Sequence, residues 1–192
     1  MKRIVALVFL FVFLPFVCFS EEKASKDSFK LQEVGILTGY GIAAIEDGPY
    51  KVIPIIPYFG FNIKGLAKKI NISPSGLFEF IIEPVTGVVF NPDRNAEIGI
   101  NLLLKYGYKI FPRLYLNFKG GAGLIYITQG THEQDTQFNF TPQAGMGFQY
   151  LLSKRWSLNL EYRYRHLSNA GISDPNDGIE THFCLFGISI FY

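Results

Sequence analysis

Glu97-Ile98-Gly99-Ile100-Asn101-Leu102-Leu103-Leu104-Lys105-Tyr106-Gly107-Tyr108 alternates with a period of two. Its even positions are apolar, and its odd positions are charged, polar or small, Leu103 excepted. Successive side chains of a β-strand leave opposite faces, so this spacing predicts a strand with one apolar and one polar face. The same parity returns downstream. Leu114, Leu116, Phe118, Ala122, Leu124 and Tyr126 oppose Arg113, Asn117, Lys119, Gly121 and Gly123. Phe138, Phe140, Ala144, Met146, Phe148 and Tyr150 oppose Gln137, Asn139, Thr141, Gln143 and Gln149, and Leu158, Leu160, Tyr162 and Tyr164 oppose Ser157, Asn159, Glu161, Arg163 and Arg165.

Turn chemistry separates these runs, from Glu46-Asp47-Gly48-Pro49 through Ser73-Pro74-Ser75-Gly76, Asn91-Pro92-Asp93, Phe111-Pro112-Arg113, Gln129-Gly130-Thr131 and Ser153-Lys154 to Asp174-Pro175-Asn176-Asp177-Gly178. Seven connections imply eight strands. Either a soluble barrel or sandwich, or a membrane barrel with its polarity inverted, would alternate in this way. Three features favour the membrane. The runs approach the roughly 9 to 11 residues that cross a bilayer at a tilt. Tyrosines sit near strand ends, as in an interfacial girdle. The chain closes on Cys184-Leu185-Phe186-Gly187-Ile188-Ser189-Ile190-Phe191-Tyr192, apolar at every second position back from a terminal aromatic, an ending similar to the assembly signal of outer-membrane barrels. The expectation is an all-β, eight-stranded antiparallel transmembrane β-barrel over residues 31–192. Its even-numbered face meets lipid, and Glu79, Glu83, Glu97, Lys105, Lys119, Glu161, Arg163 and Arg165 fill the interior as opposite charges. Eight strands enclose a space that side chains fill, so no pore is expected. The connection 64–71 falls on the periplasmic side, either as a short amphipathic turn or as a solvated connector.

Outward from the barrel, Met1-Lys2-Arg3, the apolar run Ile4 to Val17 and Cys18-Phe19-Ser20 read as a secretory signal peptide over residues 1–20, and residues 21–30 read as a polar leader. Val17 stands where a lipobox needs a small residue, which argues against lipidation of Cys18. Beyond the signal one cysteine remains, Cys184, so an exported chain has no intramolecular disulfide. A formal net charge of +2, without basic runs, gives no footing for nucleic acid. No His, Cys and carboxylate cluster has metal-ligand spacing, and Gly120-Gly121-Ala122-Gly123 lies inside a strand rather than before a helix.

The chemistry concentrates in Tyr162-Arg163-Tyr164-Arg165-His166-Leu167-Ser168-Asn169-Ala170 and, beyond a polar turn, Gly178-Ile179-Glu180. His166 and Ser168 leave the same face of a strand, with Cα atoms roughly 6.8 Å apart. Glu180 follows the histidine by fourteen residues, enough for the chain to turn back and set the carboxylate beside the imidazole. Hydroxyl, base and orienter in this order suit nucleophilic acyl transfer. By parity all three face lipid near the rim, where an ionisable group is disfavoured away from the interface. The competing reading makes them rim residues wetted by headgroups on a non-enzymatic structural or adhesive barrel. His132, in a polar loop, and His182, near the same rim, carry no assigned role.

His166-Leu167-Ser168-Asn169-Ala170 and Pro175-Asn176 through Gly178-Ile179-Glu180 resemble, at matching spacing, the lipid A 3-O-deacylases of outer membranes, the PagL family. The resemblance implies a Ser168-His166-Glu180 triad that removes the 3-hydroxyacyl chain ester-linked at position 3 of lipid A, with the active site near the extracellular leaflet. For that mechanism the oxyanion needs donors, and Asn169's side-chain amide with a backbone N–H near Gly171 are the candidates; Tyr162 and Tyr164 are expected to line the acyl groove, and the chemistry requires no cofactor or metal. The partners expected are lipopolysaccharide, membrane lipids and the barrel assembly machinery through the last strand, with a homodimer also compatible.

Membrane assembly is expected to depend on that last strand. A chain truncated before Phe191 should remain in the periplasm and be degraded, as read by cell fractionation and heat-modifiable gel mobility. Normal assembly of the truncated chain would instead favour a soluble, lipocalin-like barrel.

Overall fold

The computed structural model describes residues 29–128, 130–133 and 136–192. The expected signal peptide, 1–20, and most of the expected leader lie outside the described residues. Lys30, taken as the end of the leader, is already the first residue of a strand.

Among the described residues nine strands and one short helix follow in order: β1 (Lys30–Ile45), β2 (Gly48–Asn62), α1 (Lys64–Lys69), β3 (Leu77–Asn91), β4 (Asn95–Phe111), β5 (Leu114–Ile127), β6 (Phe138–Phe140), β7 (Gln143–Leu151), β8 (Trp156–Leu167) and β9 (Ile179–Phe191). Every pairing is antiparallel between neighbours, and β1 pairs with β9 from Glu33↔Phe191 to Ile42↔His182, which closes the sheet into a barrel. The count exceeds the expected eight because one stave is broken. Pro142 has no N–H to give a ladder, so the stave divides at Thr141-Pro142 into β6, paired with β5, and β7, paired with β5 and β8. Eight staves remain. The 64–71 connector contains α1, a helix of 6 residues in which Ala67 is buried.

The polarity is inverted relative to a soluble domain. Ile36, Ile55, Leu102, Leu104, Phe148, Leu158, Leu160 and Phe186 are exposed, whereas Glu79, Glu83, Glu97, Lys105, Lys119, Glu161, Arg163 and Arg165 are buried. Such an exterior is stable only against hydrocarbon, and a closed sheet leaves no unpaired strand edge there. This is a transmembrane β-barrel. The odd-in, even-out parity holds in the other staves but reverses in β2, where Tyr50, Val52, Ile56 and Tyr58 point inward. The reason is the two-residue connection Glu46-Asp47, which pairs Ile45 with Gly48 and so exchanges odd for even across the hairpin.

The interior is packed by paired charge and apolar filler together. Lys105 bonds Glu33 and lies 2.9 Å from Glu79. Arg163 lies 2.6 Å from Glu83 and 2.5 Å from Glu161, while Lys119 lies 3.3 Å and 2.8 Å from the same two carboxylates. Arg165 holds Glu97 through two bonds of 2.9 and 3.0 Å, and Tyr50 donates its hydroxyl to the same group at 2.9 Å. Glu33 joins this network although the sequence reading did not place it there. It takes the Tyr58 hydroxyl at 2.6 Å and the Gln149 amide at 2.6 Å. Leu37, Ile81, Leu103, Ile125 and Leu185 fill the space between the charged groups.

Glu83 and Glu161 are both shared by Arg163 and Lys119, so removing Glu83 leaves two buried cations on one carboxylate. Removing one partner of a buried pair strands the other charge, at about 3–5 kcal/mol. Glu83→Ala should therefore lower the temperature at which the barrel loses its compact gel mobility and reduce its urea midpoint in detergent. Glu83→Gln, which keeps an acceptor oxygen, should lose less.

Candidate functional site

The site is built at the end of the β8–β9 ladder. Leu167 pairs with Ile179, and both side chains are fully buried, so alternation turns His166 and Glu180, the pair before them, to the outer wall. There His166 Nδ1 meets Glu180 Oε1 at 2.5 Å, with the two side chains 34% and 46% exposed. A carboxylate only accepts, so Nδ1 carries the proton, and in the neutral imidazole Nε2 is left with its lone pair. This is the state a general base needs.

Ser168 follows on the same face and is half-buried. Its backbone is held from the other side, by Ser168 N–H to Phe140 O at 3.1 Å and Phe140 N–H to Ser168 O at 2.7 Å, and His166 N–H donates to Pro142 O at 3.0 Å. The broken stave thus braces the backbone of both residues. The structure brings His166 and Glu180 into contact. It forms no hydrogen bond between the Ser168 hydroxyl and the imidazole among the described residues.

Beyond Ser168 the chain reverses through two consecutive left-handed residues, Ala170 at φ +57° and Gly171 at φ +76°. Asn169, fully buried, ties the reversal together. Its Oδ1 accepts from Gly171 N–H at 2.9 Å and Ile172 N–H at 3.2 Å, its Nδ2 donates to Ser173 O at 2.8 Å, and its own N–H donates to Asn176 Oδ1 at 2.8 Å. The two groups expected to serve an oxyanion are therefore engaged inside the loop, the Gly171 N–H with Asn169 and the Asn169 amide with Ser173. Asn176 was quoted in the motif without a role, and its position in an Asn-Asp-Gly turn is the sequence signal for such a side-chain bond to backbone. Asp177 N–H to Glu133 O, at 3.0 Å, fastens the loop to the β5–β6 connection.

Tyr162 and Tyr164 lie on the outer wall of β8, packed on His182. The Tyr162 hydroxyl and His182 Nδ1 are 2.7 Å apart, and the Tyr164 ring meets the imidazole edge-on at 5.4 Å between centroids. His182 is thus partnered by the tyrosines, and His166 by Glu180. His132 lies in a loop with Asp47, 3.0 Å away. Further along the same wall runs an apolar groove of about 710 Å³, lined among others by Ile36, Phe148, Leu158, Leu160, Phe186 and Ile188. The expected groove tyrosines are not among its lining residues. It begins one outward position past Tyr162, at Leu160, where the short Thr38 side chain faces Phe186 and leaves room between larger neighbours.

With the geometry in place, likeness to known proteins adds the family. The model of the lipid A 3-O-deacylase (PagL) family matches residues 78–189, more than half of the chain and inclusive of His166, Ser168 and Glu180. The chain belongs to the lipid A 3-O-deacylase family. No curated protein matches it in sequence. Among solved structures, the outer membrane enzyme PagL is similar with a TM-score of 0.61 and 15% identity, covering 81% of this chain and 97% of that one. Neisserial surface protein A is similar with a TM-score of 0.64 and 12% identity, over 83% and 96%. At such identities both likenesses speak for the barrel alone. The deacylase assignment rests on the family match.

Asn169 is expected to be the loop's main tie. Asn169→Ala removes the acceptor for two N–H groups and the donor to Ser173 O, each bond being worth about 0.5–1.5 kcal/mol. Hydrogen exchange at Gly171 and Ile172 should accelerate about tenfold or more while the barrel strands keep their protection.

Proposed function

We propose that this deacylase hydrolyses the ester-linked 3-hydroxyacyl chain at position 3 of lipid A, in the outer leaflet of the bacterial outer membrane, with Ser168 as nucleophile, His166 as base and Glu180 as orienter. The observation that carries this reading is the 2.5 Å His166–Glu180 bond on the lipid-facing wall. A structural barrel gains nothing from an imidazole and a carboxylate on that face, where ionisable groups are disfavoured. The family match supports the substrate class.

Ser168 Oγ attacks the ester carbonyl while His166 Nε2 takes the hydroxyl proton. The same nitrogen then protonates the departing sugar oxygen, and water releases the acyl group from Ser168 by the reverse sequence. Glu180 holds the tautomer and stabilises the imidazolium that each proton transfer creates. The hydroxyl–imidazole bond closes on substrate binding, as catalytic hydrogen bonds that are long in free enzymes commonly do. The acyl chain passes Tyr162 and Tyr164 and enters the groove at Leu160. Asn169 and Gly171 contribute by fixing the loop beside Ser168, and they reach an oxyanion when substrate opens their mutual bond. Insertion depends on the barrel assembly machinery engaging β9, and a homodimer is compatible with the exposed apolar wall.

Lipid A from cells producing the protein should lose one hydroxyacyl chain by mass spectrometry, and Ser168→Ala should abolish the change. On detergent-solubilised lipid A, His166→Ala should cost roughly 10⁴-fold, with Glu180→Gln retaining a measurable remnant. Unaltered lipid A alongside a fully assembled barrel would instead support a structural or adhesive protein, and so would an active His166→Ala variant.

A further inference from the structure

Gly178 has the bare Cα that the His166 imidazole packs against. A Cβ built there would lie 2.6 Å from His166 Cε1, 3.3 Å from Nδ1 and 3.4 Å from Nε2, where ordinary contact begins at 3.4 Å. All three neighbours belong to the one ring. The backbone at this position has φ +86°, a region that glycine enters without penalty and that most side-chain-bearing residues avoid. Gly178 stands one residue past the last β8–β9 pair, Leu167↔Ile179, so the ladder itself does not dictate this conformation. The ring is thus bounded on two sides, by the Glu180 carboxylate at Nδ1 and by the Gly178 backbone at the Cε1 edge.

We infer that Gly178 is a positioning residue for the base: its missing side chain sets where the imidazole lies and so permits the bond to Glu180. Any Cβ here moves the ring by about 1 Å to reach ordinary contact distance. A shift of that size separates Nδ1 from its carboxylate and turns Nε2 away from the serine, and a misplacement of about 1 Å can lower a rate by roughly 10²-fold. The inference rests on the deacylase reading for its kinetic consequence and on geometry alone for its effect on the ring.

The experiment compares wild type with Gly178→Ala, Gly178→Asn and Gly48→Ala, with assembly followed by heat-modifiable gel mobility. Asn tolerates positive φ better than most residues yet carries a Cβ, so it separates contact from backbone strain. Gly48, at φ +111° in the β1–β2 turn, has its nearest neighbouring atom 3.9 Å from the Cβ position, so Gly48→Ala imposes strain without contact. In ¹⁵N-histidine-labelled protein in micelles, the downfield Nδ1 proton that disappears in His166→Ala should persist in Gly48→Ala and vanish in both Gly178 variants. On lipid A, kcat should fall about 10²-fold in the Gly178 variants with KM within a few-fold, and Gly48→Ala should match wild type. An intact Nδ1 signal with wild-type kcat in Gly178→Asn would overturn the inference, as would equal losses in Gly48→Ala or failure of both Gly178 variants to assemble. An inactive wild type would defeat the deacylase reading alone, and the imidazole signal would still decide the role of Gly178.

Discussion

Inside hydrocarbon a backbone has no water to bond with, and each unpaired N–H or C=O would cost several kcal/mol. The closure of β1 on β9 answers this constraint, since it leaves the sheet without a lipid-exposed edge. The other features of the molecule follow from that closure. The outer surface becomes solvent-facing in the sense that lipid is the solvent, so it is apolar. The inner surface, cut off from lipid, pairs most of its polar groups with other side chains, and among the described residues a few atoms such as Asn139 Oδ1, Arg165 Nε and Thr181 Oγ1 are left without a hydrogen bond.

The interior does so with charge. Arg163, Lys119, Glu83 and Glu161 form one compact cluster, Arg165 with Glu97 a second, and Lys105 with Glu33 and Glu79 a third. A buried ion pair is not in itself a large source of stability, because desolvation consumes much of the attraction. Its effect here is to fix register. A one-residue slip of β8 would send Glu161, Arg163 and Arg165 into lipid, leaving Glu97 without its cation and Glu83 with Lys119 alone. The same register sets His166 across from Glu180.

The site uses the exception to this polarity. On most of the wall an outward residue is apolar, but at the end of β8 and β9 the outward positions are Tyr164, His166, Glu180 and His182. Leu167 and Ile179 beneath them point inward and are sealed, so the barrel wall supplies a rigid floor for the pair. Ser168 lies where the ladder ends and the loop begins, with its backbone held by β6. The proposed nucleophile is thus backed by a firm strand on one side and bordered on the other by the loop that Asn169 ties together.

Much of this was legible in the sequence. Period-two alternation, turn residues at the strand ends and the terminal aromatic run determine an inverted barrel of eight staves, because each depends only on which neighbours along the chain are apolar. The interior charges of β3, β4, β5 and β8 follow from the same parity. The spacing of His166, Ser168 and Glu180 was sufficient to place them on one face of a hairpin. Parity could not be carried across a connection of unknown pairing, so the reversal in β2 and the inward turn of Glu33 waited for the register of β1 with its neighbours. Whether Asn169 faces a substrate or its own loop was equally undecided, since a side-chain amide can satisfy either and only the fold of 169–176 brings Gly171, Ser173 and Asn176 within reach. The nearness of Gly178 to the imidazole belongs wholly to tertiary structure: the two residues are twelve apart in the chain, and a glycine's missing side chain has meaning only beside the group that occupies its space.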